Sequence, residues 1–232
     1  MKPRIRSLAL STFAAACASA LFSTAVCAQQ GSAPVYKPPM RGAPASRVGG
    51  GSRSVGLELP RLYAYAPQEI GFTSKPKPDL YWFASAASPA KIQFSIFTND
   101  PAKPLFEQEL PAIAAPGTQR VRLNEFNFEL QPKVEYRWRI TVIDETGGRT
   151  SRGIAGGTIS RVDMWQQLDD RLRKTPAEGH AGVLAEEGLW YDAIETLSNE
   201  IQKGSATAKQ YRASLLSQVG LAEASQFEGS AK

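Results

Sequence analysis

Reactive side chains are scarce. The 232 residues contain one histidine and two cysteines, and both cysteines, Cys17 and Cys27, stand within the first 28 residues. That stretch reads as a secretory leader: Lys2, Arg4 and Arg6, then an apolar run from Leu8 to Phe22 too short to span a bilayer, then Ala25-Val26-Cys27-Ala28. Cleavage is expected after Ala28. Lipidation is not, because Val26 precedes Cys27 and Cys17 sits in the middle of the apolar run. The mature chain then has no thiol, which excludes a disulfide framework, a cysteine nucleophile and a thiolate metal site. Long hydrophobic runs are missing too: no later segment approaches the roughly 18 apolar residues that a membrane-spanning helix requires. The expectation is a periplasmic or secreted protein whose mature chain carries no transmembrane segment.

Excess charge of one sign is also absent. The leader takes three of the 27 Lys and Arg and none of the 22 acids, so the mature chain balances 24 against 22, a net charge of +2. Together with export, that balance excludes nucleic acid as a partner. The single His180 lies between Gly179 and Ala181 with no serine in a nucleophile-elbow context, and it reads as a surface histidine. One His, no mature Cys and no acidic loop of the calcium-binding kind leave no metal site to expect, and no cofactor. The adjacent acids Asp144-Glu145, Asp169-Asp170 and Glu186-Glu187 each have a solvated-surface explanation. No catalytic residue is assigned. The alternative, a carboxylate-dependent hydrolase of envelope polysaccharide, needs two acids flanking the scissile bond in a cleft between sandwich and helices.

What is present begins with an arm. Residues 29–56 are Pro, Gly, Ser, Ala and Arg, with Lys37, Arg41, Arg47 and Arg53 unopposed by any acid, a composition too polar to offset its ordering entropy. A flexible cationic arm is expected, with Arg41, Arg47 and Arg53 as candidate contacts to a partner protein, a cell-wall polymer or the anionic surface of a membrane. Gly49-Gly50-Gly51 is no phosphate loop, since no strand precedes it and no Gly-Lys-Ser/Thr follows.

Over residues 57–160 short runs alternate with period two. Tyr136, Trp138, Ile140 and Val142 share one face, against Arg137, Arg139 and Thr141 on the other, and Leu80-Trp82, Ile92-Phe94-Ile96 and Val121-Leu123 repeat the pattern between Pro, Gly and Asn turns. Half-buried antiparallel strands are predicted, and with them a β-sandwich. Leu130-Gln131-Pro132-Lys133-Val134-Glu135-Tyr136 resembles the tyrosine corner of immunoglobulin-like and fibronectin type III-like sandwiches, with Trp82 as the early-strand core tryptophan.

Residues 161–228 change to helical spacing. A first helix is predicted to carry Met164, Trp165, Leu168 and Leu172 on one face and to end near Lys174. Thr175-Pro176-Ala177-Glu178 reads as a capping box opening a second helix. A third runs from Trp190 through Ile194, Leu197 and Ile201 to Gly204, and a last one carries Tyr211, Leu215 and Val219. Gly188-Leu189-Trp190-Tyr191-Asp192-Ala193-Ile194 resembles the inter-helix turn of a tetratricopeptide repeat, present in one visible copy. Trp190 is expected to staple that turn. Tyr191, pointing elsewhere on the helix, is the candidate for an exposed or interdomain contact.

Several segments in order resemble a family of exported bacterial proteins, domain of unknown function 928. They are Tyr36-Lys37-Pro38-Pro39, Arg41-Gly42-Ala43-Pro44, Arg47 to Arg53, Ala66-Pro67, Gly71-Phe72-Thr73, Pro78 to Trp82, Gly188 to Ala193, and Leu215-Leu216 with Val219-Gly220-Leu221. Ser52 departs from the threonine of the family pattern. The resemblance implies no activity, cofactor or catalytic residue, and it implies that the arm is more than a spacer. The reading that follows is an exported, non-enzymatic interaction protein, an α+β chain with a sandwich followed by a short helical module, binding a protein or cell-envelope partner.

Overall fold

Alternating apolar residues in the middle of the chain build two sheets. The computed structural model describes residues 33–39, 48–50, 59–98, 100, 102–145 and 150–230, all within the compact unit Ser32–Lys232. The predicted leader, Arg41, Arg47 and Arg53 lie outside the described residues. One sheet has the path β1 (Val48–Gly50), β9 (Ser151–Arg161), β8 (Glu135–Asp144), β5 (Lys91–Phe97) and β6 (Phe106–Leu110), and β3 (Gly71–Thr73) joins β9 in parallel beside β1. The other is β2 (Leu62–Ala64), β4 (Asp79–Ala84) and β7 (Gly117–Arg122), antiparallel throughout.

On β8 the predicted face is the buried one: Tyr136, Trp138, Ile140 and Val142 are inside, and Arg137 is exposed. In register they meet Phe94 and Ile92 of β5 (Trp138↔Ile96, Ile140↔Phe94, Val142↔Ile92), so the inner face is one apolar layer. The Tyr136 hydroxyl accepts from the Gln131 N–H at 3.1 Å, which ties the entry of β8 to the turn before it.

All six residues of β4 are buried. Leu80, Trp82 and Ala84 take the side facing the first sheet. Phe83, on the opposite side, meets Phe227 near the C-terminus with ring centroids 5.1 Å apart, an edge-to-face pair that adds about 0.5–1.5 kcal/mol to the area buried. The three-stranded sheet is therefore a middle layer, covered on its second face by helices.

Those helices are α1 (Gln166–Lys174), α2 (His180–Glu186), α3 (Trp190–Gln202), α4 (Ala206–Gln218) and α5 (Ala222–Ser230). The chain is thus α+β, two sheets followed by C-terminal helices. The predicted capping box does not form. Thr175 Oγ1 donates to the Arg171 carbonyl at 2.8 Å, a 3-10 turn occupies Ala177–Gly179, and α2 begins only at His180. Met164 is 44% exposed, whereas Trp165, at the N-cap of α1, and Leu172 pack partly buried against the core that holds Leu168.

The inter-helix turn recurs. Gly188 (φ 79°), Gly204 (φ 92°) and Gly220 (φ 75°) each follow a helix, and the next residue's N–H bonds back five residues, Leu189 to Leu184 and Leu221 to Leu216 at 2.9 Å and Ser205 to Glu200 at 3.0 Å. One turn design therefore joins α2 to α3, α3 to α4 and α4 to α5. The copy at Gly220 stands 32 residues after that at Gly188, and it was hidden in the sequence because Ala222 replaces the tryptophan that marks the first.

Candidate partner-binding site

The first turn of α3 is where the layers join. The Trp190 indole N–H donates to the Tyr65 carbonyl at 2.8 Å. The Tyr191 hydroxyl donates to the Thr158 carbonyl of β9 at 3.0 Å and accepts from Trp138 Nε1 at 2.9 Å. Asp192, only 3% exposed, accepts from Thr73 Oγ1 at 2.5 Å, Ser74 N at 2.9 Å and Ser74 Oγ at 2.5 Å. One turn on, Glu195 accepts from Lys75 Nζ at 2.5 Å and from the Asp79 N–H at 3.2 Å. Asp79 in turn pairs with Arg120. A Cβ on Gly71 would lie 2.7 Å from Tyr191 Cε2, so the strand can approach this helix only without a side chain. Ala66-Pro67, Gly71-Phe72-Thr73, Pro78–Trp82 and Gly188–Ala193, read separately in the sequence, thus converge on one junction.

Tyr191 does not present itself to an outside partner. It is 1% exposed, and burial pushes its phenol well above the usual range, so its hydroxyl stays protonated and fixed between two sheet residues. Its contact is the one between helices and sandwich. α3 is buried nearly all round its first two turns, which helical periodicity cannot reveal.

The second joint lies deeper along the helices. Arg212 Nη2 meets Glu228 Oε1 at 2.7 Å with both side chains at most 7% exposed. Ser198 Oγ at 2.8 Å, Thr118 and Tyr65 satisfy the remaining donors and acceptors. Burial, then the Glu228 charge, raise the Tyr65 phenol.

Residues 33–39 extend across the end of the helical layer that carries the Gly188 and Gly220 turns. The Tyr36 N–H donates to Gln218 Oε1 at 2.9 Å, Gln218 Nε2 donates to the Pro34 carbonyl at 2.8 Å, and the Lys37 N–H donates to the Ala185 carbonyl at 3.1 Å. The Tyr36 ring packs edge-on against Trp190, centroids 4.8 Å apart. The expected flexible arm is therefore docked at this point. Polar composition misled because most of the stretch lacks apolar residues, yet one buried tyrosine and main-chain bonds to Gln218 and Ala185 seat residues 33–39.

Beside this segment opens a cleft of about 580 Å³, lined by Tyr36, Pro38, Gln68, Glu69, Gln218 and Gly220 among others. Its volume is that of a small-ligand or side-chain site. Of the acid pairs singled out in the sequence, Glu186 and Glu187 are both engaged by Arg171, and Asp169 and Asp170 by Arg173. His180 Nε2 donates to the Thr175 carbonyl at 2.9 Å, a backbone bond across the α1–α2 turn. Among the described residues no group of three or more His, Cys, Asp or Glu is placed to hold a metal, and no helix is long and apolar enough to cross a membrane.

The family model Domain of Unknown Function (DUF928) matches residues 48–228. The chain belongs to this family. The matched span takes in both sheets, the junction at α3 and almost all of α5, and it begins after the docked segment 33–39. No curated protein and no solved structure matches the chain.

Proposed function

We propose that this chain is an exported, non-enzymatic interaction protein that binds a protein or cell-envelope partner through the end of its helical layer, acting in the periplasm or after secretion. One observation carries the reading: that end holds an extended segment by hydrogen bonds to its main chain and leaves a cleft open beside it. Groups that recognise a backbone rather than one side chain suit binding. Two finer readings of the scaffold accompany it. The strand order β2-β4-β7 against β9-β8-β5-β6, with the Tyr136 corner, supports a fibronectin type III-like sandwich. The repeated turn at Gly188 and Gly220 supports two tetratricopeptide-type units, a scaffold that presents grooves.

Photo-crosslinking residues placed at Gln68 and Val35, which is 53% exposed, test this in intact cells against the same residue at exposed Arg137 on the far sheet. A discrete partner recovered from the helical end alone is the expected result. Turnover of glycosides, esters or peptides by the purified mature protein, abolished by one carboxylate substitution, would replace binding with catalysis.

A further inference from the structure

We infer that the seat of residues 33–39 is a peptide-recognition groove, that its partner is a protein presenting an extended segment with an aromatic residue two positions before a Pro-Pro pair, and that the chain's own residues 33–39 occupy it in cis. The inference deepens the binding reading above and rests on it.

The groove reads main chain first. The side-chain amide of Gln218 bonds the Pro34 carbonyl and the Tyr36 N–H, two groups on one edge of an extended segment, and only one orientation of the amide satisfies both. Ala185 supplies a third bond from the helix end. None of these depends on the occupant's side chains, so another chain in the same conformation makes them equally.

Side-chain selectivity comes from two places. Trp190 meets the Tyr36 ring in an edge-to-face pair, and the Tyr36 hydroxyl has no hydrogen-bond partner among the described residues, so the ring is what is read. Gly188, with φ 79°, lets Lys37 and Pro39 approach closely. A Cβ there would stand 3.2 Å from the Lys37 carbonyl oxygen and 3.4 Å from Pro39 Cδ. Pro38 and Pro39 bias the preceding residue to the extended conformation, which lowers the ordering cost of docking. Lys37 is exposed beside Glu186, whose carboxyl is held low by its bond from Arg171 first and by Lys37 as a smaller contribution, so a basic residue suits that position.

One observation points beyond a built-in strap. The occupant leaves space beside it: a cleft of about 580 Å³, walled in part by its own Tyr36 and Pro38, continues to Gln68 and Glu69. The residues that hold the segment, Ala185, Gly188, Trp190 and Gln218, all fall inside the family match at 48–228.

A tethered occupant competes at an effective concentration of the order of mM. The test therefore cuts the tether. A site for a specific protease replaces residues 42–46, the folded chain is cleaved, and a fluorescein-labelled synthetic peptide of residues 33–39 is titrated by anisotropy. The peptide is expected to bind the cleaved chain about 100-fold more tightly than the uncut chain, the factor by which a tethered competitor at about 1 mM weakens a peptide of about 10 μM affinity. Gln218→Ala in the cleaved chain should weaken it about tenfold or more. In the uncut chain, Tyr36→Ala loosens the occupant without altering the seat and should raise peptide affinity. Failure of the cleaved, folded protein to bind, equal binding before and after cleavage, indifference to Gln218→Ala, or no gain with Tyr36→Ala would each overturn the groove. Crosslinks retained at Gln68 in that event would keep the interaction role and place its site elsewhere on the helical end.

Discussion

The two faces of the middle sheet are bound by different physics. Toward β8 and β5 it packs Leu80, Trp82 and Val121 on Trp138, Ile140 and Phe94, an apolar layer that any set of residues of suitable volume could build. Toward the helices it meets buried charge: Glu195 at the Asp79 N–H that opens β4, and Glu228 with Arg212 beside Thr118 and Tyr65, while Asp192 holds the end of β3 in the neighbouring sheet the same way. Apolar burial is tolerant and non-directional, whereas each buried charge needs its particular donors or acceptors at hydrogen-bonding distance. The helical end that carries the groove is thereby held in a single place relative to the sandwich.

That contrast can be broken most forcefully at Glu228. Glu228→Ala leaves Arg212 charged and buried without its partner, and a loss of about 3–5 kcal/mol is expected in urea denaturation. The double change Arg212→Met with Glu228→Leu should recover most of it, because no charge is then stranded. On the apolar side Ile140→Ala should cost about 2–5 kcal/mol. No second substitution among polar groups should restore it, and a rescue by one would erase the distinction between the two faces. Tyr191→Phe tests the junction more gently, removing one acceptor and one donor from Trp138 and Thr158 at a cost of about 1–3 kcal/mol.

Acid should weaken the helical side at Glu223. Burial pushes the Glu223 carboxyl up, but the bonds from Arg61 at 2.7 Å and Tyr63 at 2.8 Å outweigh it and hold the group below its usual value. A depressed carboxyl contributes stability that is complete above the unfolded value of about 4.3 and is lost as pH falls through the folded one. Arg61→Ala should flatten the stability slope in that acidic range, measured by denaturation at a series of pH values.

The same contrast explains what could be read without coordinates. Tyr136-Trp138-Ile140-Val142 announced β8, and Trp190-Ile194-Leu197 announced α3, because apolar periodicity is written in the residues that do the packing. α5 went unread since its buried positions are Ala224 and Glu228, and an alanine with a glutamate draws no apolar stripe along a helix. Asp192 was passed over, and for Tyr191 an exposed contact could not be told from one between helices and sheets, for a related reason: their partners, Thr158, Trp138, Thr73 and Ser74, lie more than thirty residues away in sequence. Tyr36 was visible as a motif, but its docking depends on Gln218, 182 residues on, an amide that nothing in the local pattern marks.

The account stands or falls on whether residues 33–39 really lie in that seat, and amide hydrogen exchange of the mature chain measures this directly. The Tyr36 and Lys37 amides are expected to be protected, less than those in the middle of α3, and Gln218→Ala should release Tyr36 while leaving α3 unchanged. Exchange of both amides at the rate of an unstructured peptide in the unaltered protein would contradict it.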